Sequence, residues 1–250
     1  MRRIVTGLSV LSLAAFLMPV RADEDAKLQE VIDRAIKAHG GSENLKKYQA
    51  VIAKSKGKFH GFGEAVDYTG TDSMQLPNRI RLEVKSQFGG QDFTFIQVVN
   101  RDKGWIKIGE KTEELDKDML AEVKEQLNAA NITHLICLKN RDYKLSSLGE
   151  SKVGDRPAVG IRVERKGYRE VNLFFDKEKA LLLKMETRGK DPMRGEEFTA
   201  TTVYSAYKKV EEMMYPHKIT IKHDGKPFVE GETLEVKFHE KLEDNVFEKP

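Results

Sequence analysis

The feature that most constrains this 250-residue chain is a two-residue hydrophobic alternation that returns, segment after segment, from Val51 to the C-terminus. Ile80, Leu82 and Val84 alternate with Arg79, Arg81, Glu83 and Lys85, and Leu234, Val236 and Phe238 alternate with Thr233, Glu235 and Lys237. Successive side chains of a strand point to opposite faces, so this period predicts strands with one greasy face and one wet face. Turn signals separate the runs, among them Pro77-Asn78, Phe88-Gly89-Gly90, Gly154-Asp155-Arg156-Pro157 and Asp224-Gly225. Hairpin after hairpin, roughly ten strands in all, implies one antiparallel meander, and a twisted sheet of that size curls or closes. One run departs from the pattern. Phe93, Phe95 and Val99 share one face while Ile96 and Val98 share the other, so both sides of that strand are expected to be covered.

Two stretches follow a helical period instead. Leu28, Val31, Ile32, Ala35 and Ile36 make an amphipathic helix over residues 23–39, closed by Gly40-Gly41, with His39 placed to interact with the helix dipole at its C-terminus. Asp116 is the expected N-cap of a second helix, whose stripe is Met119, Leu120, Val123, Leu127 and Ala130. An amphipathic helix inside a β chain must bury its stripe, and the greasy sheet face is the available surface. Two placements stay open: a lid over the mouth of the sheet, or a helix packed at its edge. The expected fold class is therefore mainly β (α+β), a large curled antiparallel sheet forming an open half-barrel with both helices over its concave face. The tail, residues 242–250, reads as a polar, proline-ended terminus.

The first residues read as an address. Arg2 and Arg3 precede an apolar run from Ile4 to Val20, and Val20-Arg21-Ala22 offers small residues for cleavage before Asp23. Residues 1–22 are thus expected to be a cleavable Sec signal peptide and residues 23–250 a single exported domain, an uncleaved anchor being the alternative. Loss of Arg2, Arg3 and Arg21, with no acids, takes the formal charge from +3 to zero. A neutral chain with both signs interspersed argues against nucleic acid as a partner. The one cysteine, Cys137, lies in the apolar run Leu135-Ile136-Cys137-Leu138 and reads as a buried small hydrophobe, so neither a disulfide nor a thiolate metal site is expected.

The sequence contains no nucleophile elbow, zinc signature or phosphate loop. His217 and His223 sit about 20 Å apart along one strand, too far to share a metal. No enzyme, cofactor or metal is expected. The aromatic residues Phe59, Phe62, Tyr68, Phe88, Phe93, Phe95 and Trp105 gather in the N-terminal half, where they either fill a core or line an apolar cavity.

The order of parts resembles the LolA/LolB-like superfamily of periplasmic lipoprotein carriers, which includes the outer membrane lipoprotein-sorting protein-like chains. The resemblance rests on the first helix ending in Ala38-His39-Gly40-Gly41, the strand start Gly104-Trp105, the mid-chain helix, and the closing hairpins. These last contain Val203-Tyr204-Ser205-Ala206-Tyr207-Lys208-Lys209-Val210, Tyr215-Pro216-His217-Lys218-Ile219, Val236-Lys237-Phe238 and Val246-Phe247-Glu248. What the resemblance implies is a monomeric periplasmic protein whose concave apolar face holds the acyl chains of a lipid or lipoprotein, and it leaves room for an envelope membrane protein as a second partner. On that reading the ligand cavity is expected at Ile80, Leu82, Val84, Phe93, Phe95, Trp105, Leu234, Val236 and Phe238, under a lid of Met119, Leu120, Val123 and Leu127. The alternative function is a non-enzymatic envelope sensor or protein-interaction module of the same fold.

Overall fold

The computed structural model describes residues 18–61, 63–191 and 194–250; the expected signal peptide, residues 1–22, lies for the most part outside them. Helix α1 (Met18–His39) and the short α2 (Gly41–Lys47) lead into six strands: β1 (Ala50–Phe59), β2 (Val66–Gln75), β3 (Arg79–Phe88), β4 (Gln91–Asn100), β5 (Lys103–Ile108) and β6 (Lys111–Glu114). Helix α3 (Lys117–Thr133) and a 3-10 turn (Ile136–Lys139) follow. Seven more strands complete the sheet: β7 (Tyr143–Val153), β8 (Arg156–Arg165), β9 (Val171–Asp176), β10 (Leu182–Lys190), β11 (Glu197–Val210), β12 (Met213–His223) and β13 (Lys226–His239).

All thirteen strands form one antiparallel sheet in the order β6-β5-β4-β3-β2-β1-β13-β12-β11-β10-β9-β8-β7. The sheet is curled and open, as the alternation implies, with more strands than the roughly ten the sequence suggests, because β2 and β6 carry no run of alternating apolar residues. Its topology is two meanders: the chain walks outward from β1 to the edge β6, crosses by α3 to the other edge β7, and walks back until β13 pairs with β1.

Curling needs small residues where the inner faces approach. Gly57 in β1 pairs with Gly231 in β13, and a Cβ on Gly57 would lie 1.9 Å from the Glu230 carbonyl oxygen. Gly70, paired with Ser55, continues this narrow floor on β2. A local irregularity lies in β11, where Ala206 has φ 51, yet the register with β12 is the same on either side of it, Ser205 opposite Lys218 and Tyr207 opposite Pro216. Pro216, opposite Tyr207, has no N–H to give to the ladder. The turn between β11 and β12 falls at Glu211-Glu212.

The main core lies between the helices and the concave face of β7–β10. Leu28, Ile32, Ala35 and Ile36 of α1 and Ala129 and Ile132 of α3 pack on Ile161, Val163, Leu173 and Phe175. Asp116 caps α3 as expected, its Oδ1 accepting from the N–H groups of Asp118 (2.9 Å) and Met119 (2.8 Å). The convex face has a core of its own. The tail, a 3-10 turn at Asp244–Phe247, folds back so that Leu242 and the fully buried Phe247 cover Ala50, Val98, Ile52, Ile96 and Trp105. The tail is thus a packing element rather than a polar end. It also explains why β4 is greasy on both sides: Val99 faces α3 and Val98 faces the tail, and neither is exposed to solvent.

Candidate functional site

Strand register lays out the concave floor in rows. The upper row, Phe238, Val51, Met74, Ile80 and Val99, runs across β13, β1, β2, β3 and β4. The stripe of α3 sits on part of it, with Met119, Leu120, Val123 and Leu127 against Met74, Ile80, Val99 and Ile106. The next row is Val236, Ala53, Asp72, Leu82 and Gln97, and below it come Ser55, Gly70, Val84, Phe95 and Ile108. Phe93 and Tyr68 occupy the lowest row with Gly57 and Gly231. Leu82, Val84, Phe93 and Phe95 are half-buried, and Ile108 is 48% exposed, so a greasy strip continues beyond the part of the floor that the helices cover.

Of the nine strand residues expected at a ligand cavity, seven therefore share the concave face, and two do not. Trp105 pairs with Val98 and lies on the convex face beneath the tail. Leu234 stands at a β-bulge: β13 pairs Glu235 with Lys54 and then Thr233 with Ser55, so one residue is skipped. The extra residue reverses the alternation. Thr233 is turned inward and buried, while Leu234 is 56% exposed.

Where the two meanders meet under the helices, the floor deepens into an apolar cavity of about 270 Å³. Tyr48, Met74, Tyr204, Met214, Tyr215 and Phe238 line it. The rings of Tyr48 and Tyr215 lie 6.2 and 5.9 Å from that of Phe238, in the tilted and edge-on arrangements that aromatic quadrupoles favour. Burial holds the phenols of Tyr204 and Tyr215 well above their ordinary range, so they stay neutral. A buried hydroxyl needs a partner, and Tyr207, also lining the cavity, donates to the Leu182 carbonyl at 2.7 Å.

Two histidines pin the roof of this cavity. His39 is buried; its Nε2 accepts from the Leu182 N–H at 3.4 Å, so Nδ1 carries the proton and donates to the Ala35 carbonyl at 2.8 Å. Burial lowers its pKa, which favours the neutral ring, so its place at the helix C-terminus is held by these two hydrogen bonds. His134, at the C-terminus of α3, bonds the Tyr48 carbonyl at 3.1 Å, and burial depresses its pKa too.

One charge interrupts the floor. Asp72, paired with Ala53 and Leu82, has no ion-pair or hydrogen-bond partner among the described residues, and burial raises its pKa to about 6. Sequence reading missed Asp72, Tyr48, Tyr204, Met214 and Tyr215. Asp72 falls in phase with Met74, a signal that needed only the strand register to become visible. Cys137 is half-buried; its S–H donates to the Asn131 carbonyl at 3.2 Å and burial pushes the thiol up to about 11, leaving it unreactive.

No helix among the described residues is long and apolar enough to cross a membrane. No family model matches the sequence, and no curated protein does either. Solved structures do match. A LolA superfamily protein from Nitrosomonas europaea superposes with a TM-score of 0.58 at 12% identity, over 88% of this chain and 97% of the other. A domain described as an outer membrane lipoprotein-sorting protein from Vibrio parahaemolyticus gives 0.55 at 14% identity, over 88% and 95%. A DUF1329 family protein from Desulfovibrio piger gives 0.58 at 10%, over 88% and 96%. At such identities the likeness is one of fold: thirteen curled strands, with helices over their concave face, give this chain the fold of the LolA superfamily proteins and lipoprotein-sorting domains.

Proposed function

We propose that this chain is an exported, non-enzymatic carrier that holds the acyl chains of a lipid or lipoprotein against its concave face while they cross the periplasm. The observation that carries the reading is the greasy strip itself. It starts in the roofed cavity at Tyr48, Met214 and Phe238 and runs out to half-buried Leu82, Val84, Phe93 and Phe95 and to Ile108, 48% exposed. The cavity, about 270 Å³, is at the lower end of the range for small-molecule sites, so it takes the end of a chain and leaves the rest along the floor. Each methylene removed from water there contributes about 0.8 kcal/mol, so an acyl chain supplies the binding energy with no specific polar contact. Met119, Leu120, Val123 and Leu127 are then the lid, and a longer ligand reaches them by displacing α3 from Ile80 and Val99. The resemblance to periplasmic carriers and the signal-like first residues support the compartment.

The test is native mass spectrometry of protein purified from a periplasmic extract without detergent, with lipid extraction in parallel. Lipid-mass adducts that disappear in Leu82→Asp and Phe95→Asp, with circular dichroism unchanged, support the carrier. A bare mass, together with no uptake from added vesicles, overturns it and favours a protein-binding envelope module.

A further inference from the structure

The outer side of α3 faces a second cleft of different character. About 210 Å³ in volume, it lies between α3, the β2–β3 and β4–β5 turns, and the end of β8. Asn128, only 3% exposed, forms part of its wall. Arg165 donates through Nη1 to Asn128 Oδ1 at 2.9 Å, and this fixes the amide, because the swapped orientation would set two donors against each other. Nδ2 is thereby committed to the other side, where it is buried with no partner among the described residues. A buried donor left open is costly, so this position calls for an acceptor from outside the protein.

The surrounding charge specifies which acceptor. Arg165 is held by two rings, 5.2 Å from Tyr143 and 4.6 Å from Tyr168, and has no carboxylate partner among the described residues. Arg101 enters from the β4–β5 turn, placed there by a left-handed backbone with φ 60; the Asp244 carboxylate feels its charge, but no carboxylate among the described residues is at ion-pair distance from it. Lys124 also lines the cleft, but its ammonium lies 2.7 Å from Asp102 Oδ1, so those two charges offset each other. Two guanidinium groups and one uncommitted amide donor remain. A phosphate group carries close to two negative charges near neutrality and accepts several hydrogen bonds, which matches both the surplus charge and the open donor.

We infer that this cleft is an oxyanion site that takes a phosphate group, carried either by a lipid headgroup or by a small soluble molecule. Asn128 Nδ2 and the Arg165 and Arg101 guanidinium groups are its donors. The site is separate from the apolar floor and does not depend on the carrier reading.

The experiment is a titration of the full chain with inorganic phosphate at constant ionic strength, followed by calorimetry and by the side-chain amide resonance of Asn128. Glycerol 3-phosphate, and phosphatidylcholine vesicles with and without phosphatidic acid, form parallel arms. Saturable binding that moves the Asn128 resonance is expected. Asn128→Asp keeps the acceptor for Arg165 and puts a carboxylate oxygen where the open donor was, so it is expected to weaken binding about tenfold or more. Arg101→Gln, on an exposed turn, weakens it without touching the core. Binding of the soluble phosphates identifies a free ligand; binding confined to phosphatidic acid vesicles, and lost in both variants, identifies a headgroup. The inference is overturned if no arm saturates, if the Asn128 resonance stays still, or if both variants bind like the parent chain. Acyl-chain adducts measured on the same samples report the carrier reading separately.

Discussion

Arg169, in the β8–β9 turn, grips both carboxylate oxygens of Glu122 on α3, Nη1 to Oε2 at 2.8 Å and Nη2 to Oε1 at 2.5 Å. Glu122 also accepts the Lys190 N–H at 3.1 Å, and Glu125 accepts the Arg169 N–H at 3.1 Å. The Arg169 hydrogen bond holds the Glu122 carboxyl below its ordinary pKa. Helix α3 thus leaves the β6 edge of the sheet and is moored on the far side of the opening. Arg169→Ala is expected to cost about 2 kcal/mol, because the half-buried Glu122 is left without its partner. Arg169→Lys recovers only part of this, since a point charge cannot make the paired bonds. Thermal unfolding, with amide exchange along α3, checks both. Unchanged protection of α3 in Arg169→Ala would show that the helix is held by its apolar stripe alone.

Asp72 makes stability depend on pH in a definite direction. Its carboxyl titrates near 3.8 when unfolded and at about 6 in the folded chain, so the folded state binds more protons between those values. Stability is therefore expected to fall as pH rises from about 4 to about 6, by on the order of 2 kcal/mol, and to carry that penalty at all higher pH. The titratable neighbours across the floor are the phenols of Tyr68 and Tyr215, which stay neutral in this range. Asp72→Asn should raise the melting temperature near pH 8 and leave it unchanged near pH 4. Equal shifts at both would show that the effect is one of packing.

The convex clasp can be read through the single tryptophan. Phe247 is fully buried in the cluster that Trp105 packs against, and the Arg79 guanidinium lies 5.6 Å from its ring and 2.7 Å from Asp244. Phe247→Ala is expected to cost about 3 kcal/mol or more and to shift Trp105 emission to longer wavelength as water reaches the indole. An unshifted spectrum would mean that the tail does not shield this ring.

Gly57 marks the tightest point of the curl. Any side chain there meets the Glu230 carbonyl, on backbone that cannot step aside without breaking the β1–β13 ladder. Gly57→Ala is expected to cost about 2 kcal/mol or more, whereas Gly63→Ala, in a loop with φ 91 but open space around it, costs about 1 kcal/mol for the backbone alone. Urea unfolding of the two variants compares them directly. Similar midpoints would mean that the sheet can flatten at Gly57.

Much of this architecture was legible from local pattern. The alternation at Ile80, Leu82 and Val84 marks the concave face of β3, Asp116 caps α3, and the two-sided greasiness of β4 is satisfied by α3 on one side and the tail on the other. What escaped is what depends on register and on distant packing. Leu234 keeps perfect alternation with Val236 and Phe238 in the sequence, and only the skipped pairing opposite Lys54 and Ser55 turns it outward. Trp105 could not be assigned a face until its partner Val98 was known. Phe247 fell within what read as a polar, proline-ended terminus, because the residues that cover it are distant in sequence. The roofed cavity is assembled from Tyr48, Tyr204, Met214 and Phe238, which lie far apart in sequence and meet only through the central pairing.

That central pairing has a consequence for how the chain reaches its fold. β1 and β13 are the first and last strands, so each meander can zip locally, but the ladder from Ala50–His239 to Phe59–Val229 has the longest sequence separation in the sheet. Contacts of high sequence separation carry the largest loop-closure cost and form slowly. Until β13 docks, β1 is an open strand edge with the greasy floor beside it, a surface prone to pairing with other chains. A chain emerging end-first from a ribosome or a translocation channel cannot close its sheet until its last strand is out. Truncation before Lys226 would therefore leave two half-sheets with exposed edges rather than a shortened version of the native one.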